Sequence, residues 1–227
     1  MKKIIIGIFA HPDDEAFGVS PTLIKEVAEG ASVHLVTLTA GELGSNPDNH
    51  DDLGAIRLDE WRKSCKIIGA SSSHYFGYRD GALGNTDMVE VTERIEQLVR
   101  SIVDSTDAPI ECMSFDMNGI SGHIDHIVAA RATALAFYRL KAVFPERITR
   151  LRLRCVSAQQ SPEHNIDWLY MDAGRPSDMI SETIDARAHH ETVVRVIKAH
   201  RSQRKDGETH IARYGKNIGI NHFIVYR

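Results

Sequence analysis

Apolar and polar positions along the chain follow two rhythms. Lys3–Phe9 (KIIIGIF) and Val33–Thr39 (VHLVTLT) are nearly continuous apolar runs, the pattern of strands covered on both faces. Between them lies a helix-length stretch, AFGVSPTLIKEVAEGA, which Gly30 closes as a stop signal. Asp52–Ile68 repeats apolar residues at helical spacing (Leu53, Ile56, Trp61, Cys65, Ile68) and ends at Gly69. Val91, Ile95, Leu98, Val99 and Ile102 mark one face of a further helix, and Ile127–Tyr138 is an alanine-rich one. Strands are predicted at His74–Phe76, Ile110–Phe115, Leu151–Ala158 and His222–Tyr226, with a helix over Arg187–His200. Strands separated by such helices call for a three-layer, Rossmann-like α/β fold: a mostly parallel sheet with helices on both faces. With no repeat and no linker, the expectation is a single domain over residues 1–227. Ligands of such sheets sit beyond the carboxyl ends of the strands.

Composition narrows the function more than the fold. A formal net charge of −4 argues against nucleic-acid or membrane-surface partners, which leave a basic footprint. Cys65, Cys112 and Cys155 are far apart and form no C-x-x-C pair, which suits a reducing compartment. The apolar run after Met1-Lys2-Lys3 is too short for a signal peptide or membrane span. A cytoplasmic protein without membrane insertion is expected, as a monomer or a homo-oligomer. Of the 12 histidines, His34, His50, His74, His164, His189, His190 and His210 are expected at the surface or in structural roles.

The first strand runs directly into Ala10-His11-Pro12-Asp13-Asp14-Glu15. Crowding these groups is costly unless they share a cation or a proton-transfer task. His11 and Asp14, three apart on a turn stiffened by Pro12, can both come within ~2.0–2.2 Å of one zinc ion. Asp13 and Glu15 are left over, and a carboxylate beside the ion that is not a ligand can take a proton from water. A further ligand is expected from GISGHIDHIVAA (Gly119–Ala130), where His123 and His126 share one face at a helix start. A helix N-terminus disfavours imidazolium and keeps such a ligand neutral. The first turn lacks G-x-G-x-x-G, and neither a P-loop nor G-x-S-x-G is present, so a nucleotide-binding reading is disfavoured.

The sequence resembles the GlcNAc-PI de-N-acetylase family, also called the PIG-L or LmbE-like family of zinc-dependent N-deacetylases. The resemblance rests on AHPDDE at Ala10–Glu15 and GHIDH at Gly122–His126, supported by TLTAGELGS (Thr37–Ser45), Arg57 with Glu60, RDG (Arg79–Gly81) and HRSQ (His200–Gln203). It implies that His11, Asp14 and His126 bind one Zn²⁺ and that Asp13 is the general base. It also implies that His123 acts as general acid or electrophile with Asp125 holding its ring, and that Arg57 contacts substrate. The implied activity is removal of an acetyl group from an N-acetylglucosamine-type small molecule. The alternatives are an amidase on another amide, such as a thiol conjugate, and a non-catalytic metal- or carbohydrate-binding protein on the same fold. Two departures stand out: Val19-Ser20-Pro21-Thr22-Leu23 replaces the common G-G-T-L, and Ser121 stands where some relatives have tyrosine. Trp168 and Tyr170 either stack on a sugar or pack beneath their loop, and His200 is either core or rim.

Overall fold

The computed structural model describes residues 2–161 and 174–227. Seven strands form one sheet in the order β3-β2-β1-β4-β5-β7-β6. In chain order they are β1 (Ile4–Phe9), β2 (Ser32–Thr39), β3 (Ser72–Tyr78), β4 (Ile110–Phe115), β5 (Ile148–Cys155), β6 (Glu182–Asp185) and β7 (Ile220–Tyr226). β1 to β5 pair in parallel, while β7 runs antiparallel to both β5 and β6. The α/β architecture read from the sequence is the one observed.

Alternation along β1 explains the layers. Ile4, Ile6 and Ile8 face one apolar cluster, with Val91, Ile95 and Val99 of α3 (Asn85–Val103) and Phe137 and Leu140 of α4 (Ile124–Val143). Ile5 and Phe9 face the other, with Leu23 of α1 (Ser20–Ala28), Leu58 and Trp61 of α2 (Leu53–Ile68), and Val193 and Ile197 of α5 (His190–Ala199). With both faces covered, every residue of β1 is buried, and its apolar run needs no polar alternation. Asp52 caps α2 by accepting from the Ala55 N–H at 2.9 Å, and Gly69 closes it at φ +88°, as expected of caps.

Three elements depart from the sequence reading, the unpredicted edge strand β6 being one. The stretch after the first motif begins with a π-helical turn, Glu15–Val19, before α1. A helix α6, Arg204–Tyr214, was not predicted; its many charged residues hide its short apolar stripe. The buried Gly207 lets α6 approach α5, because a Cβ there would sit 3.0 Å from the Ile197 side chain. Among the described residues no helix is long and apolar enough to cross a membrane.

β1 lies between β2 and β4, so the chain leaves β1 and β4 in opposite directions along the sheet. The crevice this opens at the carboxyl ends is where α/β sheets bind ligands. Both sequence motifs emerge there, after β1 and after β4.

Candidate metal and catalytic site

The turn after β1 is closed by its own aspartate. Asp14 Oδ2 accepts the N–H groups of Ala10 at 3.0 Å and His11 at 2.8 Å. That leaves Asp14 Oδ1 beside His126 Nε2, at 3.3 Å. His126, in the first turn of α4, has its Nδ1 3.1 Å from the Gly119 carbonyl. Its Nε2 lies 3.0 Å from His11 Nδ1. The far nitrogen of His11 lies 3.0 Å from Asp80 Oδ1 and 3.1 Å from Asp125 Oδ2.

These partners fix both tautomers. The Gly119 carbonyl can only accept, so His126 carries its proton on Nδ1 and its lone pair on Nε2. Asp80 and Asp125 likewise draw the His11 proton to Nε2 and leave a lone pair on Nδ1. Two lone pairs then face each other at 3.0 Å, an arrangement that needs a proton or a cation between them. The edge of a tetrahedron with ~2.0–2.1 Å ligand bonds is about 3.3 Å, close to the 3.0 Å from His11 Nδ1 to His126 Nε2 and the 3.3 Å from His126 Nε2 to Asp14 Oδ1, while His11 Nδ1 is 3.8 Å from Asp14 Oδ2. The donor set fits a divalent metal.

Burial works against charge on His11, but hydrogen bonds to Asp125 and Asp80 and the charge of Asp14 raise its pKa to about 10. Burial, then His11 and His123, hold His126 well below the ordinary range, so it stays neutral. His11, His123 and His126 also bring ring nitrogens within 4.8 Å of one another, as do ligand atoms of His11, Asp80 and Asp125. The second group is better explained as support for His11. Asp125 already accepts from Gly81 N at 2.8 Å and Leu83 N at 3.2 Å, and Asp80 Oδ2 from Leu43 N at 2.9 Å. Carboxylates so placed orient a ligand imidazole and raise its basicity.

Asp13 sits at φ +105°, a backbone state that a non-glycine residue adopts only under constraint. Its neighbours supply the constraint. Glu15 Oε2 accepts the Asp13 N–H at 3.2 Å, and Arg57 Nη2 donates to Asp13 Oδ2 at 2.9 Å and to the Pro12 carbonyl at 2.6 Å. Arg57 Nη1 reaches the Gly41 carbonyl at 2.8 Å. Gly41, at φ +66°, makes room for this guanidinium, since a Cβ there would lie 2.6 Å from Arg57 Cζ. Burial raises the Asp13 pKa to about 6, and Arg57 restrains the rise.

Behind Asp13 is a buried relay. Glu15 Oε1 receives the Ser64 hydroxyl and lies 2.8 Å from His200 Nε2. His200 is 1% exposed, so of core and rim the structure chooses core. Glu60 does not pair with Arg57. It accepts from the Ser202 N–H at 2.9 Å and the Ser202 hydroxyl at 2.6 Å, tying α2 to the turn before α6.

His123 is the N-cap of α4, its Nδ1 accepting from the Asp125 N–H at 3.2 Å. Its ring stacks on His126, centroids 5.1 Å apart, and meets His11 edge-on. Here one expectation is corrected: the Asp125 carboxylate does not hold the His123 ring, but reaches across to His11. The cap places His123 in extended conformation, φ −61° and ψ 128°, so its ring and the Asp125 carboxylate leave the helix in different directions. Ser121 Oγ lies 3.4 Å from the His123 N–H.

Asp14, His123 and His126 form one wall of a cavity of about 460 Å³. Phe17, Phe115, Arg154 and residues of α6 line the rest, including His210. His210 had no such role in the sequence reading. It packs against Phe17 at 5.5 Å and Tyr214 at 4.8 Å. Trp168, Tyr170 and His164 lie outside the described residues.

The profile of the PIG-L family, GlcNAc-PI de-N-acetylase, matches residues 6–137, which span both motifs. A 1D-myo-inositol 2-acetamido-2-deoxy-alpha-D-glucopyranoside deacetylase of Thermomonospora curvata is 27% identical, over 88% of this chain and 80% of its own. Among solved structures, N,N'-diacetylchitobiose deacetylase from Pyrococcus horikoshii superposes with a TM-score of 0.68 at 20% identity, covering 99% of this chain and 83% of its own. GalB, a 4-carboxy-2-hydroxymuconate hydratase from Pseudomonas putida, superposes with a TM-score of 0.67 at 13% identity, covering 100% and 97%. The two structural likenesses show the fold alone, and one of the two proteins is not a deacetylase.

Proposed function

The chain belongs to the GlcNAc-PI de-N-acetylase (PIG-L) family, and from that premise we propose that it is a zinc-dependent hydrolase removing the acetyl group from an N-acetylglucosamine-type compound. The observation that carries this reading is the convergence of His11 Nδ1 and His126 Nε2, 3.0 Å apart beside Asp14, where a divalent ion can replace the proton between the two rings. His11, Asp14 and His126 would hold the ion. When bound there, zinc supplies Lewis acidity to an acyl oxygen and makes water easier to deprotonate.

The chain's own residues do the rest. Asp13 takes the proton of the attacking water as its oxygen adds to the acyl carbon. A pKa near 6 suits a base working at neutral pH. Arg57 and Glu15 are positioning residues that aim Asp13 from either side. His123, its Nδ1 occupied by the helix N–H, carries its proton on Nε2 and can donate a hydrogen bond from it to the acyl oxygen, while Asp13 passes the proton it took from water to the departing nitrogen. The C–N bond breaks, the nitrogen gains a proton, and acetate and a free amino sugar leave. A cytoplasmic location is supported by Cys65, Cys112 and Cys155, all buried as free thiols.

The test is acetate release from N-acetylglucosaminides by the zinc-loaded protein. Asp13→Ala should lower turnover by about 10²–10⁴-fold while keeping one equivalent of zinc. Undiminished turnover would remove Asp13 from its role. Bound zinc with no hydrolysis of any amide would leave a binding protein on this fold.

A further inference from the structure

Beyond the metal ligands, the cavity is lined by a cation that no carboxylate among the described residues pairs with. Arg154, near the carboxyl end of β5, is 8% exposed. Its Nε donates to the Gly18 carbonyl at 3.0 Å, while its Nη1 is buried without a hydrogen-bond partner. Among the described residues no carboxylate acts on it; the titratable groups that do are Cys155 and Tyr214. His210 cannot substitute for one, since burial and the charge of Arg154 itself hold it down at about 4. A second unpartnered atom, Gln160 Oε1, is buried in the lining of the same cavity.

A buried guanidinium without a counter-charge is costly to the folded state. The other arginines of β5 show the contrast: Arg150 and Arg152 both pair with Glu182, at 2.8 Å and 2.7 Å. Arg154 differs by lining a cavity that also touches Asp14, His123 and His126. At about 460 Å³, that cavity is of small-molecule size. A molecule with its amide at the histidines would extend between Phe17 and Phe115 towards Arg154.

We propose that Arg154 is an anion-binding subsite of this pocket, and that the preferred substrates are N-acetyl compounds carrying a carboxylate or a phosphate away from the acetamide. The bond is a charge-assisted guanidinium–oxyanion pair that completes the orphaned nitrogen. This rests on the deacetylase reading above and adds a substrate class to it.

Three probes decide the matter with the zinc-loaded enzyme: methyl N-acetylglucosaminide, carboxymethyl N-acetylglucosaminide, and N-acetylglucosamine 1-phosphate. For at least one acidic probe, kcat/KM should exceed that for the neutral one by about 30-fold or more, and the better of the two identifies carboxylate or phosphate. Arg154→Met should collapse that ratio to within about threefold, and Arg154→Lys should recover part of it. A wild-type ratio near one, or a ratio that survives in Arg154→Met, overturns the proposal. Should Arg154→Met fail to fold, the wild-type ratio and Arg154→Lys decide alone. Should no probe be hydrolysed, the deacetylase reading fails and the subsite is judged by calorimetry. Zinc-loaded protein is then titrated with the matching free amines. Tighter binding of an acidic amine that depends on Arg154 sustains the subsite, and equal binding of all three refutes it.

Discussion

Buried charge gathers at both ends of the sheet, and the two gatherings are built on opposite principles. At the amino end, Lys3, Arg150 and Arg152 meet Glu26, Glu111 and Glu182. Three cations face three anions, and Arg152, 1% exposed, bonds to Glu26 at 2.6 Å and Glu182 at 2.7 Å. At the carboxyl end, Asp13, Asp14, Glu15, Asp80 and Asp125 crowd around His11 and His126, with Arg57, alone of the arginines among the described residues, bonded among them. The first set satisfies itself. The second has an excess of acid, and its two facing imidazole nitrogens hold a proton between them that an arriving metal ion can replace. Buried charge marks a working site where the account within the chain fails to balance, and marks scaffold where it does.

The sharpest way to break this contrast is to remove a ligand. His126→Ala should lower zinc affinity far more than the about 10–100-fold typical of losing a ligand's hydrogen-bond partner, with the far-ultraviolet spectrum unchanged; a variant still binding one zinc as tightly would remove His126 from the ligand set. Arg152→Met should do the reverse. Glu26 and Glu182 would keep Lys3 and Arg150 but lose their most buried partner, which should cost up to about 3–5 kcal/mol of stability in urea unfolding, with kcat/KM of the folded fraction changed less than about twofold. A large loss of turnover without loss of stability would contradict its assignment to scaffold.

Asp125→Asn tests the support given to His11. Zinc affinity should fall by about 10–100-fold, and the acid-side limb of metal binding should move, because Asp125 raises the His11 pKa. The smallest effect is proton release. With its pKa raised to about 10, His11 is protonated at neutral pH in the metal-free protein, and zinc must displace that proton. Affinity should therefore rise about tenfold per pH unit between pH 7 and 9 and level off as pH passes the His11 pKa. Titration in buffers of different ionisation enthalpy would read about one proton released per zinc. Zero release would mean that His11 Nδ1 is not a ligand.

Much of this was legible in the sequence, and the failures have physical causes. β4 was bounded at Ile110–Phe115 as observed, because a fully buried strand flanked by polar residues has sharp edges. The placement of HPDD and HIDH beyond β1 and β4 followed from element order alone. The partner that the family resemblance implies for Asp125 is not the one observed, because the N-cap at His123 turns its ring away from that carboxylate. Glu60 finds Ser202, 142 residues along the chain, and Glu15 finds His200, 185 away; no local spacing encodes either. The strand predicted at Leu151–Ala158 lies at Ile148–Cys155, and its alternating arginines carry no role in the sequence reading. In a sheet covered on both faces such alternation should instead have been read as buried charge, which is the signal that would have found Arg152 and Arg154.

The strand order has one further consequence. β6 pairs with β7 and lies at the edge, while β7, the later of the two to be synthesised, sits inside between β5 and β6. A chain still emerging from the ribosome with β6 outside the tunnel has the ligands of the metal site already translated, yet β6 has no neighbour and the edge of β5 is bare. Asn221, which ties β7 to α1 through Thr22 at 2.8 Å and to the π-helical turn through the Gly18 carbonyl at 3.1 Å, is still missing. Closure of the sheet thus waits for β7, and until then the exposed edge of β5 is the surface a chaperone would have to guard.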